Sequence, residues 1–530
     1  MNPPDHLRKA HEFLKIADLF RLGHLPTEQP HPGTHDLSNW ARHDLHRAIA
    51  ALRDVDLAAL RRLERRATAI DTLARSIQET LTAGARVFLC GCGATGRLSL
   101  TVEYLWRLMH PGDDRVVSFM AGGDVALVHA LEKFEDESEW GARHLMDLGF
   151  AKGDLLIACT EGGETPFVLG AAEKAAETSA RPPWLLFCNP ETALAPDIER
   201  FRRVRDNPRV RTMCLDVGPM ALAGSTRMQA STVLQLALGL SLLHPEVPAR
   251  EVLSRYRAHA GGTDLSFLAA FIEKESAVYA AGDRVSYRVR DYGITVFTDT
   301  TERAPTFSLV PFDQLTESRP KHSLCYIALD GARSAVDAWR LLLNRDPRPL
   351  EWPHVDPRTC RAYLEAFDFS VLALDRRRRI IPGSAHHEFS IAGSARGIEL
   401  RFDDLAHELP AEGLSELLRH TLLKQILNIH STLVMGRLGR YEGNLMTWVR
   451  PTNGKLVDRS ARYVQHLLAR SGRQDIRYDE IVRHLFEELE RGAPDEPVVL
   501  RTFRSLMTRA CRRSVPALRR RRTANNHPGR

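Results

Sequence analysis

Residues 91–99, GCGATGRLS, follow an apolar run at 86–90 and open a long helical stretch. Strand, glycine-rich turn and helix start, in that order, converge backbone N–H groups and a helix dipole on one spot. Such a spot suits an anion, most often a phosphate. The letters satisfy GxGxxG, the dinucleotide fingerprint. That fingerprint also needs an acidic residue about 20 positions on, closing the second strand against a ribose hydroxyl. Here the next strand candidate, 116–120, runs into Ala121-Gly122-Gly123, and Asp124 comes only after the glycines. The loop instead carries hydroxyls, Thr95 and Ser99, which suit the oxygens of a terminal phosphate. A tight strand–helix turn without any ligand satisfies the same letters, so the loop alone leaves the ligand open.

The bulk properties narrow the class. A chain of 530 residues suggests three or more domains with real cores. With 43% hydrophobic and 26% charged residues it has the composition of a soluble globular protein. The longest apolar run, 233–243, is short of the ~18 residues a membrane helix needs. The start, MNPPDHLRKAHEF, lacks the apolar core of a secretion signal. A cytoplasmic protein without a membrane partner is expected. The eight cysteines are scattered with no CxxC pair, which fits reduced thiols and no metal site. The net charge of +6 comes from the tail: from Arg512 on there are seven arginines and no acid, leaving about −1 for the rest. The tail, 511–530, therefore reads as a solvated, disordered basic end, and nucleic-acid binding is disfavoured.

Apolar spacing predicts helices over 45–60 and 70–81, after a polar, proline-rich segment at 25–33. Strands are then expected at 86–90, 116–120, 155–159, 184–188 and 210–217, alternating with helices such as 98–109 and 167–178. Alternation of this kind implies a parallel, doubly wound α/β sheet. A helical stretch at 225–243 follows. Strand candidates at 284–290, 323–329, 369–374 and 397–402 supply a second sheet, about 200 residues after the first, as an internal duplication of architecture. The second copy has Arg288-Val-Arg-Asp-Tyr-Gly293 where the first has its phosphate loop. The expected layout is a helical segment at 1–60, one α/β domain at 61–250, a second at 251–430, and a helical region at 431–510 before the tail.

Five segments together resemble one family: Thr27-Glu28-Gln29; GCGATGRL at 91–98; Ala121-Gly122-Gly123-Asp124 with LEKFED at 131–136; Gly224-Ser225-Thr226-Arg227; and Asn444-Leu445-Met446 with RPTNGK at 450–455. In this order they are similar to the sugar isomerase (SIS) fold proteins, in the branch of N-acetylmuramic acid 6-phosphate etherases and the glucokinase regulatory protein. The tandem layout is similar to the latter. The resemblance implies two SIS domains packed as an intramolecular pseudo-dimer, a phosphosugar ligand and no cofactor. Carried over by position, Gly93, Thr95 and Gly96 belong to the first phosphate loop, Thr160 to the second, and Ser225 and Thr226 to a third. Lys455 matches a lysine that serves the phosphate as a point charge. The second loop departs from the pattern: Glu161 and Glu164 stand where neutral or basic residues are usual, and would repel a phosphate unless they point away. Gln229 also replaces a lysine common in the etherases.

The etherase chemistry implied by the resemblance removes a lactyl ether by elimination and then adds water. It uses two carboxylates, one to move a proton and one to activate water. Glu135 in LEKFED matches the water-activating position. The proton-transfer position on the helix after the first loop is Leu105; Glu103 lies on a different helix face and reads as structural. The second copy's DTTERAPTF at 299–307 matches the same motif and puts Glu302 there. One composite site is expected, with Glu302 free to be a mere partner of Arg303 or Arg288 instead. A lyase of this class is the leading expectation. The alternative is a non-catalytic phosphosugar sensor that controls a sugar kinase, and aldose–ketose isomerisation comes third.

Overall fold

The computed structural model describes residues 4–194, 196, 198–315, 321–492 and 496–513. Most of the expected basic tail, 514–530, lies outside them. By contacts the chain divides into two units, Gly23–Met446 and a second that joins residues up to Leu22 with those from Thr447 on.

The larger unit holds two sheets. The first contains β1 (Val87–Gly91), β2 (Val116–Met120), β3 (Leu155–Cys159), β4 (Trp184–Phe187) and β5 (Arg211–Cys214), in the order β2-β1-β3-β4-β5. Every pairing is parallel, with Val87 opposite both Val116 and Leu155. All residues of β1 to β3 are buried, as a parallel sheet covered on both faces requires. The helix after β1, Ala94–Met109, lies close enough on β2 that a Cβ added to Gly96 would stand 2.5 Å from Met120 Cβ.

The second sheet contains β6 (Arg284–Val289), β7 (Cys325–Leu329), β8 (His386–Gly393), β9 (Gly397–Phe402) and β10 (Leu405–Pro410), in the order β10-β9-β8-β6-β7. Strands β7, β6 and β8 are parallel, but β8-β9-β10 is an antiparallel meander. The expectation of a wholly parallel second sheet is corrected here. The links at 394–396 and 403–404 are too short for a crossover, and short links join antiparallel strands only. The expected strand at 369–374 is mostly helix, Val371–Ile380, since the apolar run continues through Asp375 into four arginines at 376–379, strong helix formers. Strands β8 and β10 were not expected, because their half-exposed polar alternation hides from a search for apolar runs.

Four helices pack on one another between the sheets: Ala94–Met109, Gln229–Leu243, Gly293–Phe307 and Glu416–Arg437. Gln229–Leu243 is buried all round, as its apolar sequence demands. It starts at Gln229 rather than 225, because residues 225–228 form a turn that ends in Met228 as the cap. Four expected domain boundaries fall inside continuous helices: 60/61 within Leu45–Glu64, 250/251 within Ala249–Gly262, 430/431 within Glu416–Arg437 and 510/511 within Val498–Arg513. A boundary cannot cut a helix whose packing face is buried along its length.

The smaller unit is helical. Asp5–Ile16 packs on Tyr478–Arg491, which also contacts Gly454–Arg470 and Val498–Arg513. Phe13 meets Phe20 and Phe486 at ring-centroid distances of 6.4 and 6.3 Å. Residues 4–22 therefore belong with the C-terminal helices, not with a 1–60 segment, because their apolar face finds its partner there. Residues 511–513 are the end of Val498–Arg513 rather than tail. Among the described residues no helix is long and apolar enough to cross a membrane.

Replacing Gly96 by alanine forces Met120 or the helix to shift. We expect a loss of about 1–3 kcal/mol in urea-unfolding free energy, and an unchanged midpoint would contradict the close helix–sheet approach.

Candidate functional site

Helices leave β1 and β3 in opposite directions along the sheet, so the gap between these strands is its topological switch point. In open α/β sheets ligands bind outside the carboxyl ends of the strands at this point. Two loops border it, 92–95 after β1 and 160–165 after β3. Gly93, with φ of 53°, caps the Ala94–Met109 helix without any side-chain hydrogen bond, and Thr165 likewise caps Pro166–Thr178. Thr95 holds the first loop closed: its hydroxyl donates to Cys92 O at 2.9 Å and accepts from Cys92 N at 2.9 Å. Thr160 braces the second, its Oγ1 lying 2.9 Å from Thr165 Oγ1 and accepting from Gly163 N at 3.2 Å. Asn189 bonds Gly162 O and Thr27, so the Thr27-Glu28-Gln29 motif is a brace for this loop. Glu164 is turned to Arg200 on the Glu199–Arg205 helix, which neutralises it. Buried Glu161 stays close to the strand ends, where burial and then its carboxylate push the Cys159 thiol up.

Beside the first loop the two halves meet in a small cavity lined by Ala94, Leu98, Arg227, Thr298, Glu302 and Lys424 among others, with about 10 Å³ of free space. That is room for one water. Glu302, on Gly293–Phe307, pairs with Arg97 of the glycine-loop helix at 2.9 Å, both being buried. Neither Arg303 nor Arg288 competes for it. Arg303 binds Asp299 and Glu275, each at 2.9 Å, and Arg288 binds Asp330. Arg97 also donates to Ala126 O and Leu127 O, both at 3.1 Å. Arg227, next to Ser225 and Thr226, reaches Asp299 Oδ1 at 2.9 Å and the Ser431 and Thr432 hydroxyls at 3.1 and 2.8 Å. Burial pushes the Asp299 carboxyl up, but Arg303 and Arg227 outweigh it and hold it below the usual range. Lys424 donates to Arg227 O at 2.9 Å, Thr232 Oγ1 at 2.7 Å and Asn428 Oδ1 at 3.0 Å, and burial lowers its ammonium pKa. The Ser225 hydroxyl and Thr298 Oγ1 are buried without a protein hydrogen-bond partner.

The cavity thus collects Glu302 with residues adjoining Gly93, Thr95, Gly96, Ser225 and Thr226. Glu135 is not among the residues that line this cavity; it stands in the turn after the 3-10 segment Glu132–Phe134, and its carbonyl accepts from Phe167 N at 3.1 Å. Lys455 lies in the first turn of Gly454–Arg470 in the smaller unit. Arg97, Arg227, Asp299 and Lys424 were not singled out from the sequence. The first three stand inside the quoted motifs, but their partners lie up to about two hundred positions away. Gln229, where a lysine was expected, bonds Pro219 O at 2.8 Å and Ala221 N at 3.4 Å, so it holds the loop that precedes its helix.

Leu105, which the resemblance sets against Glu302, is fully buried. Glu103 is a structural ion-pair hub: Arg107, Arg345 and Arg348 reach it at 3.0, 3.1 and 2.8 Å, and Ser118 donates to it. Burial would raise its carboxyl, but Arg345, Arg348, Ser118 and Arg107 hold it at about 2.

A family model described as the glucokinase regulatory protein N-terminal SIS domain matches residues 67–176. The chain is 33% identical over 218 residues to an N-acetylmuramic acid 6-phosphate etherase of Deinococcus radiodurans, covering 40% of this chain and 65% of that one. Against the enzyme of the same name from Rubrobacter xylanophilus it is 34% identical over 224 residues, 42% of this chain and 68% of that one. The chain thus spans about two thirds of these relatives' lengths. Among solved structures it aligns with the C-terminal domain of glucosamine-fructose-6-phosphate aminotransferase from Francisella tularensis at 12% identity and TM-score 0.38, covering 72% and 96% of the two chains.

The Glu103 hub sets an acid limit. Its carboxyl titrates near 4.5 when unfolded and about 2 when folded, so the folded state binds this proton less readily. The stability it contributes is complete above the unfolded value and is lost as pH falls towards the folded one. We expect Tm to fall across that window and the slope to flatten in Glu103→Gln, which at neutral pH should itself be destabilised by about 3–5 kcal/mol. Equal acid slopes for the two proteins would contradict this assignment.

Proposed function

Because this chain belongs to the N-acetylmuramic acid 6-phosphate etherase family, we propose that it binds a phosphosugar and cleaves the D-lactyl ether of N-acetylmuramic acid 6-phosphate. The phosphate rests at the switch-point loops, served by Gly93, Thr95, Gly96 and Thr160 and by the Ser225–Thr226 turn. In the ring-opened sugar the proton on C2 is acidic because C1 is a carbonyl. Glu302 takes that proton, the C3–O bond breaks, and the same carboxyl returns the proton to the departing lactate oxygen. The C2–C3 double bond left behind accepts water at C3, activated by Glu135, and C2 is reprotonated. No cofactor enters this sequence, and the cytoplasm is the compartment that fits a sugar-phosphate substrate.

One observation carries the reading. The carboxylate that the first half lacks at Leu105 is present on the second half as Glu302, 2.9 Å from Arg97 of the glycine-loop motif. Arg97 fixes where that carboxylate stands next to the loop. Without substrate the cavity has about 10 Å³ of free space, so the sugar enters only when the surrounding loops part.

That closure favours a second reading, a phosphosugar sensor controlling a sugar kinase, since a site that must open on binding is suited to report it. The family-model match is to a regulatory protein's domain, which supports the same alternative.

Both are tested by incubating the purified chain with N-acetylmuramic acid 6-phosphate and following lactate with a coupled dehydrogenase. We expect release, reduced about 10²–10⁴-fold in Glu302→Gln with substrate binding by calorimetry retained. Release indifferent to Glu302→Gln would sink the assigned role. Binding without any release, together with inhibition of a sugar kinase, would replace the lyase by the sensor.

A further inference from the structure

We propose that residues 344–363, contributed by the second half, form a clasp that positions the Glu135 loop of the first half for the water-adding step; this rests on the etherase reading above. The segment follows the Ala335–Leu343 helix, which ends on Asn344 in the left-handed conformation. It then engages the stretch 123–134 at three successive points.

The first point is Asp124, the acid that follows the glycine pair after β2. Both its oxygens are taken: Arg345 Nη1 reaches Oδ2 at 2.7 Å, Arg345 Nη2 reaches Oδ1 at 3.0 Å, and Arg348 N donates to Oδ2 at 2.6 Å. Leu350 lies against Gly123 so closely that an added Cβ there would stand 2.9 Å from Leu350 Cγ. The second point is His129, whose Nδ1 is 2.8 Å from the Tyr363 hydroxyl. The third is Phe134, fully buried and stacked on Trp352 at 6.2 Å and 21°. Trp352 is itself fixed, its Nε1 donating to Asp147 at 3.1 Å and its ring lying under Arg143 at 4.1 Å. Glu135 is the next residue, and its carbonyl is tied to Phe167 N. Its backbone is thus held between the clasp and the start of Pro166–Thr178.

Over this stretch the first half forms two short 3-10 segments, which its own helices reach through Arg97 at Ala126 O and Leu127 O, Trp140 at Phe134 and Phe167 N at Glu135 O. The clasp adds the contacts at Asp124, His129 and Phe134. A side chain that must present a water to a carbon needs a fixed backbone, and an error of about 1 Å in placing it costs on the order of 100-fold in rate. The clasp adds to that fixity without touching substrate, which makes Arg345 and Trp352 positioning residues.

The full-length chain carrying Trp352→Ala, Trp352→Phe or Arg345→Lys tests this, by hydrogen exchange and by lactate-release kinetics. Arg345→Lys keeps the charge between Glu103 and Asp124, and Trp352→Phe keeps the stack on Phe134. Both guard against loss of folding, checked by circular dichroism. We expect Trp352→Ala and Arg345→Lys to speed exchange in peptides covering 121–137 while peptides of 293–307 are unchanged. In both, kcat should fall about 10–100-fold with KM changed less than about threefold. Trp352→Phe should restore most of the kcat lost in Trp352→Ala. Unchanged exchange at 121–137, or faster exchange with unchanged kcat, overturns the proposal. If the unaltered chain releases no lactate, the functional reading fails on its own account, and unchanged exchange in the variants still overturns the clasp.

Discussion

Buried ion pairs that cross between the two halves, Arg97–Glu302 and Arg227–Asp299, are the constraint on which the larger unit depends. Arg227 on the first half and Arg303 on the second share Asp299, Arg303 continues to Glu275, and Arg97 takes Glu302. All of these side chains are close to fully buried. A charge removed from water without a partner is costly, so the halves cannot slide or part without leaving several unpaired at once. Apolar packing of the four central helices brings the halves together, and the ion pairs fix the register of that packing. The same register decides which residues share the cavity beside the glycine loop.

The two copies are alike in architecture and unequal in chemistry. The first keeps the uncapped glycine turn but buries Leu105 where a carboxylate would stand, and the second lost the turn and keeps Glu302. Elsewhere the halves meet through aromatic rings: Tyr104 and Tyr292 lie 5.8 and 4.9 Å from His420, whose Nδ1 is 2.7 Å from Thr295 Oγ1. Burial lowers the His420 pKa to about 3, so this part of the contact is neutral and packed. The contact between the halves is thus ion-paired near the glycine loop and aromatic around His420. The clasp adds to the asymmetry, since an arm of the second half holds a loop of the first.

Much of the fold was legible in the sequence. Strands β1 to β4 fall within a residue or two of their apolar runs, because a parallel strand buried on both faces must be a continuous apolar segment. In the meander, β9 matches its expected run at 397–402, but β8 and β10 were not legible, since their exposed faces carry polar residues. The helix at 371–380 was misread because a short apolar run fits strand and helix alike. At the site, the sequence shows Leu105 and Glu302 within the two motifs but not Arg97 as the partner that holds Glu302. Glu161 and Glu164 illustrate the limit: their sequence position suggested repulsion of a phosphate, whereas Glu164 is neutralised by Arg200 on a neighbouring helix.

The sequence by itself determined that there are two α/β halves, that the glycine turn lacks the ribose acid of a dinucleotide site, and that Asp124 stands displaced after two glycines. Local signals suffice for these, because strand burial, turn geometry and helix starts depend on neighbours in the chain. Only the tertiary structure decided what Asp124, Arg97, Arg227 and Glu302 do. Asp124 is claimed by Arg345 and Arg348, and Glu302 by Arg97. Their partners lie about two hundred residues away, and electrostatic pairing is set by distance in space and by burial, neither of which is written at any one position in the chain.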